Sequence, residues 1–206
     1  MSPTLPEVEA VILDLGNVLV FHDNALLFRR LGERAGLAGA EVERRLSGAA
    51  WDAANRGEMT REEIWRGACQ ALGLELAAGD FNELWCCHFR VHDAVLPHVE
   101  SLVGRVELLL LSNSNPIHVE HLRPLVPILR KFDHVLFSCE VGMAKPDPRF
   151  YREALRRAGT APEQTAYFDD HEPFLLPARE LGLRAHAFRD AEGFRRQLEA
   201  LGLAAG

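Results

Sequence analysis

The chain has 206 residues, 48% of them hydrophobic and 26% charged, the balance of a folded protein with length for one well-packed core plus a small appended module. Its formal net charge of −7 opposes binding to phosphodiester backbones, and no Lys/Arg stripe interleaved with aromatics offsets that charge, so nucleic acid is not an expected partner. No apolar run approaches a membrane span, the N-terminus lacks a basic region followed by an apolar stretch, and Cys69, Cys86, Cys87 and Cys139 lack zinc-ligand spacing; a cytoplasmic protein with reduced, mostly buried thiols is expected.

The first predicted element is the apolar run 10–13, which ends in Asp14-Leu15-Gly16-Asn17. No proline occurs between Pro6 and Pro97, and Trp51, Trp65 and Trp85 all lie in that stretch, which reads as a compact helical insert. Leu27, Leu31 and Ala35 share one helical face and Gly36 follows as a stop, giving a helix over 24–35. A second helix is expected over 40–54. Thr60 and Glu63 form a capping-box pattern ahead of Ile64, Ala68 and Leu72, and Asp80 and Glu83 repeat it ahead of Leu84, Trp85 and His88. The insert is therefore expected as a four-helix cap over 21–94, with 1–20 and 95–206 forming the core.

Short apolar runs then alternate with amphipathic helices, at 106–111, 135–137, 165–168 and 184–188. Each is too uniformly apolar for a sheet with one wet face, so the strands should be parallel and covered on both sides. Asn115-Pro116 and Asp147-Pro148 each supply an N-cap followed by proline at the first helical position. The expected fold is α/β, a doubly wound (Rossmann-like), mainly parallel sheet with an inserted all-helical cap.

Ligands in such sheets bind at the carboxyl ends of the strands. There the sequence places Asp14 to Asn17, then Ser112-Asn113-Ser114-Asn115, then Lys145, then Asp169-Asp170. An acidic protein that handles an anion must bring local positive charge, as a metal ion, a lysine or helix N-termini.

The segments DLGNVLV, LLSNSN, GMAKPDPRFY and FDDH, in this order, resemble the four motifs of the haloacid dehalogenase (HAD) superfamily. The helical insertion after the first motif is similar to the subgroup of α-D-glucose-1-phosphate phosphatase and the N-terminal phosphatase domain of soluble epoxide hydrolase. The resemblance implies hydrolysis of a small phosphorylated metabolite with Mg2+ as cofactor. It makes Asp14 the nucleophile and Asp14, Asp170, Asp169 and the Gly16 carbonyl the metal ligands. Ser112 and the Asn113 amide would hold the phosphoryl group, and Lys145 would neutralise it together with Asp14.

Gly16 departs from the pattern, since many family phosphatases carry a second aspartate there for proton transfer. A leaving group that departs with little protonation, such as the anomeric oxygen of a sugar 1-phosphate, would suit the site. His22 with Asp23 is a candidate replacement acid, although Asp23 also reads as the cap of the first helix of the insert. Arg56 is a candidate substrate contact; Trp51, Trp65 and Trp85 read as cap core, although Trp51 and the loop Asn55-Arg56-Gly57 could face the pocket. His118 and His121 lack a third ligand and read as surface residues. Competing readings are a metal-free haloacid dehalogenase, disfavoured by the aspartate pair, a phosphomutase, disfavoured by Gly16, and a phospho-ligand-binding protein with little turnover. Oligomeric state is left open by the sequence.

Overall fold

The computed structural model describes residues 6–203. Five strands form one parallel sheet: β1 (Ala10–Leu13), β4 (Glu107–Ser112), β5 (His134–Phe137), β6 (Thr165–Asp169) and β7 (Arg184–Ala187), in the order β5-β4-β1-β6-β7. The five runs marked in the sequence are these strands, within a residue or so at each end. Alternate residues feed opposite faces, which is why the inner strands are mostly apolar, whereas the edge strand β7 (Arg184-Ala185-His186-Ala187) is half-buried and mixed. Val11, Leu13, Leu108, Leu110 and Phe168 join the core on one side, and Ala10, Ile12, Leu109, Leu111 and Tyr167 join the core on the other.

Helices cover both faces: α6 (Leu96–Glu100), α7 (Pro116–Leu125), the short α8 (Ser138–Val141), α9 (Pro148–Ala158), α10 (Glu172–Glu180) and α11 (Ala191–Ala200). Asn115 and Asp147 cap α7 and α9 with their side-chain oxygens, each followed by proline. The chain order of the strands reverses about β1, so the crevice between β1 and β6 is the topological switch point. Leu13 lies opposite both Leu110 and Phe168, which brings the residues after all three strands to one edge.

The insert holds five helices rather than four: α1 (Asn24–Ala35), α2 (Gly39–Leu46), α3 (Ala49–Asn55), α4 (Arg61–Leu72) and α5 (Ala78–Cys86). The single helix expected over 40–54 breaks at Ser47-Gly48, where Ser47 is extended and Gly48 takes φ 96°. The Thr60/Glu63 capping box forms, whereas α5 begins earlier than expected, with Ala77 at its cap and Asp80 inside its first turn. Leu27, Leu31, Val42, Ile64, Phe81 and Trp85 make a separate apolar core for these helices, and Ile117 of α7 completes it from below. The chain leaves the sheet along β2 (Val20–His22) and returns along β3 (Phe89–Val91), a short antiparallel pair absent from the sequence expectation. Arg90 stacks over Phe21 there at 4.3 Å.

Among the described residues no helix is long and apolar enough to cross a membrane. The four cysteines are free; Cys69 and Cys86 are buried, Cys139 is half-buried, and Cys87 is exposed, so burial of the thiols is less general than expected.

Candidate active site

At the carboxyl edge of the sheet lies a cavity of ≈ 520 Å3, into which the core contributes Asp14, Gly16, Ser112, Asn113, Lys145 and Asp170, and β2 contributes His22. Asp14, Gly16, Ser112, Asn113 and Asp170 are there because β1, β4 and β6 end there, whereas Lys145 comes from the loop between α8 and α9. The Asp14 amide donates to the Phe168 carbonyl at 2.9 Å, which ties the tip of β1 to the tip of β6. Asn113 and Lys145 exchange two bonds, the side-chain amide donating to the Lys145 carbonyl and the Lys145 amide donating back to Asn113 Oδ1, each at 2.8 Å. Residues 32 apart are thereby held in one register, and the lysine side chain is aimed at the crevice.

Lys145 Nζ donates to Asp14 Oδ1 and to Asp169 Oδ2, both at 2.7 Å, with all three side chains almost fully removed from water. Asp169 is saturated by protein donors: the Tyr167 hydroxyl also donates to Oδ2, and the His171 amide donates to Oδ1 at 2.8 Å. Asp170 differs. Asn17 Nδ2 donates to its Oδ2 at 2.9 Å, and the side chain lines the cavity half-buried. Asn17 sits at φ 53°, a left-handed conformation that asparagine tolerates, and its Oδ1 accepts from the His22 amide at 3.1 Å. This residue orients both Asp170 and the start of the insert, and the only sequence signal for it is an asparagine inside a turn.

One oxygen from each of Asp14, Asp169 and Asp170 falls within 4.8 Å of the others. Burial pushes the Asp14 carboxyl up to about 7, because Lys145 offsets only part of the desolvation and Asp169 adds repulsion. For Lys145 burial acts downward, yet Asp14 and Asp169 outweigh it and hold the ammonium above its ordinary value. Three neighbouring carboxylates against one ammonium leave an excess of buried negative charge, the condition that a hard divalent cation relieves. The donor set, all oxygen, fits magnesium. The saturation of Asp169 makes it a poorer ligand than Asp14 and Asp170.

Gly16 leaves room beside this cluster: a Cβ there would meet Asp14 Oδ2 and the His22 ring no nearer than 3.9 Å. Burial, the largest influence on His22, pulls its pKa down and keeps the ring neutral. Ser112 Oγ pairs with Ser114 Oγ at 3.1 Å, and the Ser114 amide donates to Ser138 Oγ at 2.9 Å. Ser138 in turn donates to the Asn55 carbonyl at 2.5 Å, joining α3 of the insert to the core. Asp23 caps α1 by accepting from the Leu26 amide at 3.1 Å, leaving its carboxylate committed to the helix.

Two sequence expectations are corrected. Arg56 does not line the cavity; its guanidinium pairs with Glu58 at 2.6 Å and 3.0 Å at the solvent-exposed end of α3. His118 is buried rather than superficial, lines the cavity, and packs against Phe89 at 4.9 Å and His88 at 5.4 Å between ring centroids. Asn115 Oδ1 accepts from the Ile117 and His118 amides, so its Nδ2 must face His118 Nδ1, 3.1 Å away. Nδ1 is then the acceptor and the ring proton sits on Nε2, in a ring that burial keeps neutral. Asn24, Trp51, Asp52, Asn55 and Phe89 complete the side of the cavity toward the insert; of these only Trp51 and the loop at Asn55 were marked in the sequence.

Comparison with known proteins adds independent findings. The model of the haloacid dehalogenase-like hydrolase family matches residues 8–182. The bifunctional epoxide hydrolase 2 of Sus scrofa is 40% identical over 68 residues, which is 33% of this chain and 12% of that protein; the chain spans a small part of the length of the first curated relatives it matches. The D-ribitol-5-phosphate phosphatase of Bacteroides thetaiotaomicron is 21% identical over 94% of this chain and 98% of its own. A crystal structure of a HAD family enzyme from Bacteroides thetaiotaomicron, in complex with magnesium and inorganic phosphate, superposes with a TM-score of 0.83 at 21% identity, covering 92% of this chain and 98% of that one.

Proposed function

The chain belongs to the haloacid dehalogenase-like hydrolases, and from that premise we propose that it is a magnesium-dependent phosphatase acting on a small phosphate monoester through an aspartyl-phosphate on Asp14. The observation that carries this reading is the meeting of Asp14, Asp170 and Lys145 at one strand edge, three groups that come from widely separated parts of the chain. Asp14, Asp170 and the Gly16 carbonyl would hold Mg2+, which when bound keeps Asp14 ionised and neutralises phosphoryl charge. Relatives that handle phosphate esters, and a neighbour of the same fold crystallised with magnesium and phosphate, support it.

Asp14 Oδ1 is occupied by Lys145, so Oδ2 is the oxygen left to attack phosphorus. The new Oδ2–P bond forms as the bond from phosphorus to the leaving oxygen breaks, and the leaving group takes that electron pair. Water then adds to phosphorus, the Asp14–phosphorus bond breaks, and the carboxylate is regenerated with release of phosphate. Lys145 and the Ser112 hydroxyl are the fixed donors for the equatorial oxygens. His22, neutral and beside Gly16, suits acceptance of the proton of the attacking water better than protonation of the leaving oxygen. The first step then favours leaving groups that need little protonation, and a sugar 1-phosphate fits that demand.

The aspartate cluster also disfavours a metal-free dehalogenase, which has no use for extra carboxylates beside an anionic substrate. The test is phosphate release from p-nitrophenyl phosphate and from glucose 1-phosphate, with Mg2+ or with EDTA, by wild type and by Asp14→Asn. Metal-dependent release lost in the variant supports the reading. Release unaffected by EDTA, or retained by Asp14→Asn, refutes it, and equal rates on primary alkyl phosphates and sugar 1-phosphates remove the leaving-group argument.

A further inference from the structure

The charge inventory of the cavity is one-sided. Among the described residues that line it, Lys145 is the one lysine or arginine, and its ammonium already bonds Asp14 and Asp169. Against it stand Asp14 and Asp170 at the phosphoryl end and Asp52 of α3 on the side toward the insert. Arg56, at the end of α3, does not line the cavity; it feels the charge of the exposed Asp52, but its hydrogen bonds go to Glu58. A phosphoryl group and its magnesium would use the charge of Lys145, and no second lysine or arginine lines the cavity among the described residues to meet another anion.

The rest of that side is apolar faces and unmet hydrogen-bonding atoms. Trp51, Phe89 and Asn55 line the cavity there. Asn24 Oδ1 is buried, and although the His22 side chain lies near enough to interact with it, no hydrogen bond of acceptable geometry closes. A buried acceptor left unmet costs stability that a ligand hydroxyl can restore, and aromatic faces accommodate the C–H surfaces of a carbohydrate chain or ring. An anionic group placed there would instead lose its hydration beside carboxylates, with no cation to pair with.

We infer that the alcohol released from the ester is uncharged and hydroxyl-bearing, a polyol or monosaccharide, and that Asp52 selects against substrates carrying a second phosphate or a carboxylate. This rests on the phosphatase reading for the placement of the phosphoryl group at Asp14. Discrimination here comes from repulsion as much as from attraction, which makes Asp52 a specificity residue.

The experiment uses pairs of esters that differ only by exchange of a terminal CH2OH for a carboxylate: glycerol 3-phosphate with 3-phosphoglycerate, and glucose 1-phosphate with glucuronic acid 1-phosphate. Their binding to Asp14→Asn in saturating Mg2+ is measured by calorimetry, and their hydrolysis by wild type as kcat/KM. In each pair the uncharged member should be favoured about tenfold or more. Asp52→Asn should narrow that ratio, and Asp52→Lys should narrow it further or invert it. Equal or tighter binding of the carboxylated members overturns the inference, as does failure of both uncharged esters to bind at millimolar concentration. Binding to the variant needs no turnover, so a wild type that binds with the expected preference but releases no phosphate refutes the phosphatase reading and leaves the preference standing.

Discussion

The two ends of the cavity are built differently. At the phosphoryl end the polar groups are locked by protein partners: Lys145 by two carboxylates, Asp169 by three donors, Asp170 by Asn17, and Asn113 by both backbone groups of Lys145. Toward the insert, Asn24 and His118 line the cavity with Oδ1 and Nε2 lacking a hydrogen bond of acceptable geometry, while both ring nitrogens of His88 and Trp85 Nε1, which do not line it, are also buried without partners. The Trp85 backbone lies near both imidazoles, but no bond of acceptable geometry closes. Chemistry that must place an attacking oxygen within a fraction of an ångström requires a locked frame. A wall that recognises a ligand keeps polar atoms unmet until the ligand arrives, at a cost in the stability of the free protein.

The contrast is broken most severely at Lys145. Lys145→Met leaves Asp14 and Asp169 buried without their shared cation, so we expect a loss of about 3 to 5 kcal/mol in stability and a fall of about 10³-fold or more in kcat. Thermal melts and phosphate release measure the two, and a variant as stable and active as wild type would show that the network is not the frame described. The adjacent aspartates sharpen the picture. Asp170→Asn should raise the Mg2+ concentration for half-maximal activity by about 10-fold to 100-fold. Asp169→Asn should lower kcat while leaving that concentration nearly unchanged, because both Asp169 oxygens serve protein donors. Similar metal requirements in the two variants would refute this division of labour.

A smaller effect is expected where the insert meets the core. Gly57 sits at φ 74°, and a Cβ there would fall 1.9 Å from the Cys139 carbonyl oxygen, so Gly57→Ala should destabilise by about 1 to 3 kcal/mol in a denaturant melt. Of similar size, and absent at neutral pH, is the acid sensitivity of the insert side. Burial pushes the His88 imidazole down to about 3 and His118 well below its ordinary value. Above the unfolded value of about 6.5 neither ring opposes folding; as pH falls below it the unfolded chain takes up protons that the folded rings refuse, and stability declines. By pH 5 each ring should cost on the order of 2 kcal/mol. His88→Phe, which removes two unmet nitrogens, should flatten the melting temperature between pH 7 and pH 5, and an unchanged slope would remove His88 from the account.

What the sequence revealed follows the same divide. The inner strands were legible because burial on both faces leaves apolar runs, and Asp14, Ser112 and Asp170 because each stands at a strand end, while Lys145 was marked by its motif in the loop before α9. The division of labour between Asp169 and Asp170 was not, since adjacent aspartates look alike until their partners are seen. The pair β2 and β3 went unseen because three-residue strands of mixed burial carry no periodic signal. Asn24 and Asp52 lie on ordinary amphipathic helices, and only the packing of those helices turns them toward the cavity. His118 read as superficial because one position on a helix does not disclose that α5 lies across it, with Trp85 6.0 Å away between ring centroids.

The central claim is that Asp14 takes the phosphoryl group while sharing a divalent cation with Asp170. A crystal structure grown with Mg2+ and beryllium fluoride addresses it directly. The expected structure has a beryllium fluoride adduct on Asp14 Oδ2, Lys145 still bonded to Oδ1, and Mg2+ ligated by Asp14, the Gly16 carbonyl and Asp170. An adduct on another residue, or Mg2+ held through Asp169 with Asp170 uninvolved, would contradict it.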